Sequence, residues 1–316
     1  MTTELTRDKA FFAFSSSLTP AVRVAQGEEV VLQTHDCFSG QLKTSADPLE
    51  TLDWSITNPA TGPVYIEGTR PGDLLRVDLL EVRATGPSVM VALPGVGAMG
   101  DRITAMETTV LEHTEEAVVF KGRVKVPLRP MLGVIGVAPA QGEIPNSTPG
   151  GHGGNMDCTL VSTGASLYLT VGVEGALLGC GDMHAAMGDG EVVICGAETP
   201  GYARLRAQVV LIPGLPTPFV ENDEVVAVIA SAETVDEAKD VTIHRMLDFL
   251  TNVAGLPLND AAMLMSLTGE LKFCQVVDPL MTVRFEFPKC ALKEYGFEMP
   301  CSGTGRDVLS CERSGR

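Results

Sequence analysis

The chain has 316 residues, 45% of them hydrophobic but only 5% aromatic, with 33 glycines and 20 prolines. It can bury a sizeable core; Val, Leu and Ile must fill that core and turns must be frequent, which leans towards β structure. Lys plus Arg number 23 against 40 Asp plus Glu, and the net charge of −17 repels phosphate backbones and anionic lipid, so neither a nucleic-acid nor a membrane partner is expected.

Met1 to Ala10 is polar and carries no basic-then-apolar leader. No apolar run is long enough to span a bilayer. The eight cysteines, at 37, 158, 180, 195, 274, 290, 301 and 311, include no CxxC pair. They read as reduced thiols of a cytoplasmic protein.

Phe11 to Phe14 and Val22 to Thr34 read as a lead-in strand pair, ending on His35-Asp36-Cys37-Phe38-Ser39-Gly40-Gln41. Neighbouring side chains of a strand point to opposite faces, so His35 and Asp36 can serve one site only if the chain bends there. Asn58 to Pro63 is a turn cluster. Val64 to Gly68 and Leu74 to Val82 read as strands, the second partly alternating. The segment 84–108 reads as an irregular loop, and 118–128 as a hairpin turning at Lys121-Gly122. Met131 to Pro139 is an apolar strand. It leads into the glycine-rich loop Gly150-Gly151-His152-Gly153-Gly154-Asn155-Met156-Asp157-Cys158.

After an apolar run to Leu178 comes Gly181-Asp182-Met183-His184-Ala185-Ala186-Met187-Gly188-Asp189-Gly190-Glu191. Val192 to Cys195, Ala207 to Ile212 and Val225 to Ala230 continue the strand pattern, while 213–218 is too rich in proline for regular structure. The period then changes. Glu233 to Val253 has helical spacing, capped by Ser231 or Thr234 and stopped at Gly255. A second helix runs from Asp260 to Leu267, capped by Asn259, before strands at 271–277 and 281–287. The fold class expected is α+β and β-rich: sandwich- or barrel-like sheets with a late helical hairpin packed alongside. The organisation expected is one unit, β-rich over 1–230, α/β over 231–290, with a tail over 291–316.

Chemistry concentrates in the two glycine-rich loops. Asp182 and His184, two apart, share a face of an extended chain. The Gly188-Asp189-Gly190 turn could fold Glu191 back beside them. Two ligands from one strand plus a carboxylate base suit metal-assisted hydrolysis. Asn155 and Asp157 alternate in the same way, Asn155 being a neutral donor suited to an oxyanion. His35 and Asp36 are further ligand candidates. Glycine-flanked His152 reads as exposed, and His113 and His244 as structural. Cys158 has no base or positive neighbour in sequence, so a buried structural thiol is favoured over a nucleophile. No G-x-S-x-G elbow, dinucleotide or phosphate loop, or H-E-x-x-H is present.

These stretches, with Asn58 to Gly68, Pro71 to Leu75 and Gln275-Val276-Val277-Asp278-Pro279, resemble the acetamidase/formamidase family of metal-dependent amide hydrolases. The matches run in family order from about residue 10 to 290. The resemblance implies a homo-oligomer, dimer or higher, acting on small amides and releasing ammonia. It also implies a divalent metal, zinc first, with room for a second ion such as calcium. His35, Asp36, Asp157 and His184 match the metal positions. The catalytic assignments are Glu191 as the base, Asn155 for the oxyanion, and Asp182. Alternatives left open are a larger amide or lactam as substrate, a thiol amidase using Cys158, and a silent ligand-binding protein.

Overall fold

In the structure, a computed structural model, residues 3–300 are described. Strands dominate and helices are few, as the glycine, proline and β-branched content implies. A nine-stranded sheet runs in the order Thr3–Leu5, Glu29–Thr34, Gly201–Val210, Leu74–Ala84, Ser166–Thr170, Phe219–Glu221, Val225–Ala232, Met281–Pro288, Glu270–Gln275. A six-stranded sheet is centred on Met131–Gly136, Leu178–His184 and Ala60–Ile66. Ser88–Ala92, Glu107–His113, Ala117–Phe120 and Val124–Pro127 make a four-stranded meander.

The two larger sheets share the main core, in which Val30, Leu32, Leu75 and Leu205 of one meet Val64, Ile66, Leu132 and Leu178 of the other. Strand alternation decides which core a side chain enters. In Val225–Ala232, Ala227 and Ile229 join that core, while Val226 and Val228 face the opposite way. There they meet Met246, Phe249, Leu250, Ala261 and Met265 of the helical hairpin. Each large apolar side chain buried in this way contributes about 1.5–3 kcal/mol.

The late helical hairpin is present. Val235–Asp248 starts at Thr234, whose hydroxyl accepts from the Glu237 N–H while the Glu237 carboxylate accepts from the Thr234 N–H. The helix widens into a π-turn, Phe249–Val253, and ends before Gly255, which sits at φ +77°. The second helix, Leu258–Thr268, starts two residues earlier than Asn259 as cap implies, with Pro257 at the cap position, and Gly269 ends it.

Two expectations change. The segment 84–108 contains Ser88–Ala92 and the start of Glu107–His113, paired in register; its glycines and prolines lie outside these strands, Gly86-Pro87 before the first and the rest in the connection between them. Val192 to Cys195 is a turn, not a strand. Glu191 and Ile194 both have positive φ, which breaks extended geometry despite the apolar composition. The hairpin at Lys121-Gly122 forms as read. A short helix, Lys289–Glu294, occupies the start of the expected tail; Cys301 and Cys311 lie outside the described residues. No helix among the described residues is long and apolar enough to cross a membrane.

Candidate active site

The strand Met131–Gly136 pairs with Gly153–Asn155 on one side and Leu178–His184 on the other. This brings both glycine-rich loops to one place. Leu132 pairs with Met183 and Val134 with Gly181, so Gly133 and Asp182 fall between ladder pairs. The Gly133 carbonyl instead accepts from the N–H groups of Met156 (3.1 Å) and Asp157 (3.3 Å).

The 188–191 turn is pinned to the next sheet. The Gly190 N–H donates to the Cys274 carbonyl (3.0 Å) and the Val276 N–H to the Gly190 carbonyl (3.2 Å). Asp189 accepts two bonds from Arg284, at 2.6 and 2.9 Å, and one from the Thr159 hydroxyl at 2.8 Å. Glu191 is thereby turned back, its Oε1 3.6 Å from His184 Nε2. Glu198 bridges to both Val89 and His184, and its Oε1 lies 2.7 Å from His184 Nε2. Asp278 arrives on a turn held by Gln275, whose Oε1 accepts from the N–H groups of Val277 and Asp278. The Asn155 Nδ2 donates to Asp278 Oδ2 (2.8 Å).

Four buried carboxyls, Asp157, Asp182, Glu191 and Glu198, thus surround the His184 imidazole, and the half-buried Asp278 makes a fifth beside them through Asn155. Among the described residues no Lys or Arg pairs with any of the five. Burial, then the Asp182 charge, pushes Asp157 up to about 6. Burial lifts Glu198 to about 8, with His184 opposing. Glu191 is held well above the usual carboxylate range by burial and then by Asp157 and Asp278. Burial works against charge on His184, yet Glu198, Asp182 and Asp157 raise it to about 10. No Lys or Arg offsets these carboxyls, and Asp157, Glu191, Glu198 and His184 compete for protons.

Unpaired atoms point the same way. Both carboxylate oxygens of Asp157, Asp182 Oδ1, Glu198 Oε2 and His184 Nε2 are buried with no aligned hydrogen-bond partner. Such groups are costly unless something satisfies them. One donor atom each from Asp157, His184 and Glu191 lies within 4.8 Å of the others, as do atoms of Cys37, Asp182 and Glu198. Oxygen and imidazole donors without a counter-cation fit a divalent ion. Asp157, Asp182 and Glu191 also have φ of +47°, +50° and +46°. Left-handed backbone at a non-glycine residue costs about 1–3 kcal/mol and gathers at functional sites.

The cluster opens onto a cavity of about 250 Å³ walled by Asn155, Asp182, Glu191, Glu198, Asp278 and Cys37 among others. Asp157 and His184 lie behind that wall. Glu191 also borders a larger, mainly apolar cavity of about 490 Å³, lined by Met90, Leu111, Val118 and Val126.

The model of the Acetamidase/Formamidase family matches residues 7–149 and 143–217, about two thirds of the sequence. The chain belongs to the acetamidase/formamidase family. Among solved structures it resembles an acetamidase from Bacillus halodurans, at 39% identity and TM-score 0.91, over 93% of this chain and 100% of that one. A recombinant predicted acetamidase/formamidase from Thermoanaerobacter tengcongensis is 41% identical at TM-score 0.91, over 95% and 99%. A formamidase of Methylophilus methylotrophus is 25% identical over 58% of this chain and 60% of its own length. The chain spans between 60% and 63% of the length of the curated relatives it matches.

Within this family framework, the structure brings together Asn155, Asp157, Asp182, His184 and Glu191 as their spacing implied. It does not bring His35 and Asp36 into the cluster: neither belongs to a donor group or walls the cavity. The reason is local. Asp36 Oδ1 accepts from the N–H groups of Phe38 (2.9 Å) and Gly40 (3.1 Å), closing a turn that presents Cys37 to the cavity instead. Glu198 and Asp278 were not singled out as site residues; the only signal was Asp278 within the matched Gln275 to Pro279 stretch. His152 is buried rather than exposed, edge-on to Phe14, and burial pushes it down to about 4. His113 bonds the Ser88 hydroxyl and His244 sits on the helix surface. Cys158 is fully buried in the main core, away from the cavity wall.

Gly133 makes room for two of the carboxylates. A Cβ there would lie 2.3 Å from Asp157 Oδ1 and 2.6 Å from Asp182 Oδ2. Gly133→Ala is expected to splay both carboxylates and weaken metal retention at least about tenfold, while overpacking costs about 1–3 kcal/mol. Elemental analysis and urea unfolding of the variant check this; wild-type metal content would refute the crowding.

Proposed function

We propose that this chain is a metal-dependent amidohydrolase cleaving the C–N bond of a small linear amide to a carboxylate and ammonia. The observation that carries the reading is the small cavity closing on a buried carboxylate–imidazole cluster whose carboxyls pair with no Lys or Arg among the described residues. Family membership and the names of the similar proteins support it.

Asp157 and His184, set behind the cavity wall, would hold a divalent ion, zinc first, with Asp182 close by. Bound there, such an ion supplies polarisation of a carbonyl and a water acidic enough to lose its proton near neutral pH. Glu191 faces the cavity; as a carboxylate, the form a bound cation would favour, it would take the attacking water's proton and return it to the departing nitrogen. Asn155 was read from sequence as an oxyanion donor. With its Nδ2 committed to Asp278, its unpaired buried Oδ1 better accepts from the substrate's NH2 group. Asp278 and Gln275 fix that orientation.

A larger amide is the second reading, favoured by the apolar cavity that shares Glu191 with the site. Ammonia release from formamide, acetamide and hexanamide separates the two. Turnover falling as the acyl chain grows supports the small-amide reading, and turnover rising favours the larger one. No ammonia from any of them from metal-loaded protein would discard both. One methylene is worth about 1–3 kcal/mol in such a pocket, so the ratios should be readable.

A further inference from the structure

We propose that the apolar cavity beside Glu191 is a binding site for an apolar carboxylate, whose chain lies against the four-stranded meander and whose carboxylate meets Arg129. Such a site is independent of which amide is cleaved. The cavity measures about 490 Å³. Its outer wall is set by strand register. Val118 pairs with Val126 and Phe120 with Val124 across the hairpin, so these four side chains share one face, and all four line the cavity. Val119 and Lys125, the pair between them, face the other way and do not line it. The inner wall includes small residues, Ala186, Gly188, Gly196 and Ala197, which leave the space open.

Two observations point to an occupant with an apolar body and an acidic end. Phe120, Val124 and Val192 line the cavity yet stay 39%, 54% and 48% exposed, an apolar rim around an opening. The charge beside that rim is opposite to that of the chain as a whole. Residues 117–142 contain no Asp or Glu but carry Lys121, Arg123, Lys125 and Arg129, in a protein of net charge −17. Among the described residues Lys121 pairs with Glu107, whereas Arg123, Lys125 and Arg129 pair with no carboxylate.

Register also singles out the cation. Lys125 belongs to the opposite face, whereas the strand Val124–Pro127 ends and the Arg129 N–H donates to the Ala185 carbonyl at 2.9 Å, which brings Arg129 round to the cavity it lines. Arg129 is exposed, and its guanidinium can hold a carboxylate by two parallel N–H donations. It is the one cation among the lining residues, and Asp189 and Glu191 are the acids. An anionic head is drawn to the first and repelled by the others, so the chain end lies towards the turn that carries Glu191.

The test is calorimetric titration of octanoate, octan-1-ol and octylamine into the full-length protein at low salt. Octanoate should bind one equivalent per chain, at least about fivefold more tightly than octan-1-ol, the scale of one well-placed ion pair. Arg129→Gln should abolish that preference. Lys125→Gln, on the opposite face, should change it by less than about twofold, because water and salt screen a charge out of contact. Val124→Glu puts a carboxylate on the rim and should weaken octanoate more than octan-1-ol. All three positions are exposed, so folding should survive. Octan-1-ol or octylamine binding as tightly as octanoate, or a preference that Arg129→Gln leaves intact, overturns the proposal, as does the absence of binding. Octanoate binding that Val124→Glu leaves unchanged puts the ligand elsewhere and overturns it too. Because the readout is binding, it is independent of whether any amide is turned over.

Discussion

Replacing Glu191 with glutamine is expected to lower kcat for ammonia release by about 100- to 10,000-fold, the range for losing a positioned proton carrier. That corresponds to about 2.7–5.4 kcal/mol of transition-state stabilisation. The substitution keeps shape and removes the ionisable oxygen. The backbone at φ +46° is held by the Gly190 bonds to Cys274 and Val276, and by Arg284 on Asp189, none of which involves the altered atoms. Folding should therefore survive. Glutamine also removes an uncompensated acid from a crowded cluster, so stability should hold or rise. KM should change little, because Asn155 and Asp278 remain. Metal content separates two roles for this residue. Activity lost with metal retained marks a proton carrier; activity lost together with metal marks a ligand. Activity within about threefold of wild type would remove Glu191 from the chemistry.

Much of this site was legible in the sequence where geometry is local. Asp182 and His184 lie two apart in Leu178–His184 and end 3.9 Å apart, although Asp182 at φ +50° departs from extended geometry, and Glu191 returns because Gly188-Asp189-Gly190 turns. The strand from Leu74 and the helix Val235–Asp248 were legible for the same reason, because partial alternation and a 3.6-residue period are short-range patterns; the strand Gly201–Val210 was read only from Ala207. Contributions from distant loops were not. Glu198 follows a turn that its apolar neighbours disguise as a strand, and only pairing with Val89 aims it at His184. Asp278 depends on the Gln275 side chain to fold its turn. His35 and Asp36 were singled out as good ligand types, and neither belongs to a donor group among the described residues. Residue type cannot say that the N–H groups of Phe38 and Gly40 already claim the Asp36 carboxylate, nor that Cys37 is the one turned inward.

Stripping the metal is expected to abolish activity and to make the protein progressively less stable as pH rises. In the metal-free chain Asp157 moves from an ordinary 3.8 to about 6, Glu198 from 4.5 to about 8, and His184 from 6.5 to about 10. In each case the folded state binds its proton more tightly than the unfolded chain does. The stability each group contributes is full below its unfolded value and is lost as pH climbs through its folded one. The metal-free Tm should therefore fall between about pH 5 and pH 9. The loaded protein should behave in the opposite sense over much of that range, because a cation displaces those protons and binds better as they leave. The gap between the two melting curves should widen with pH. A ligand present at about 1,000 times its Kd stabilises by about 4 kcal/mol, so the gap should reach several degrees. Scanning calorimetry with and without chelator from pH 5 to 9, with ammonia release assayed after zinc is restored, measures both effects. A gap that stays flat with pH, or full activity in the stripped protein, would mean that the buried carboxylates are satisfied by protons alone and that the chemistry does not run through a metal.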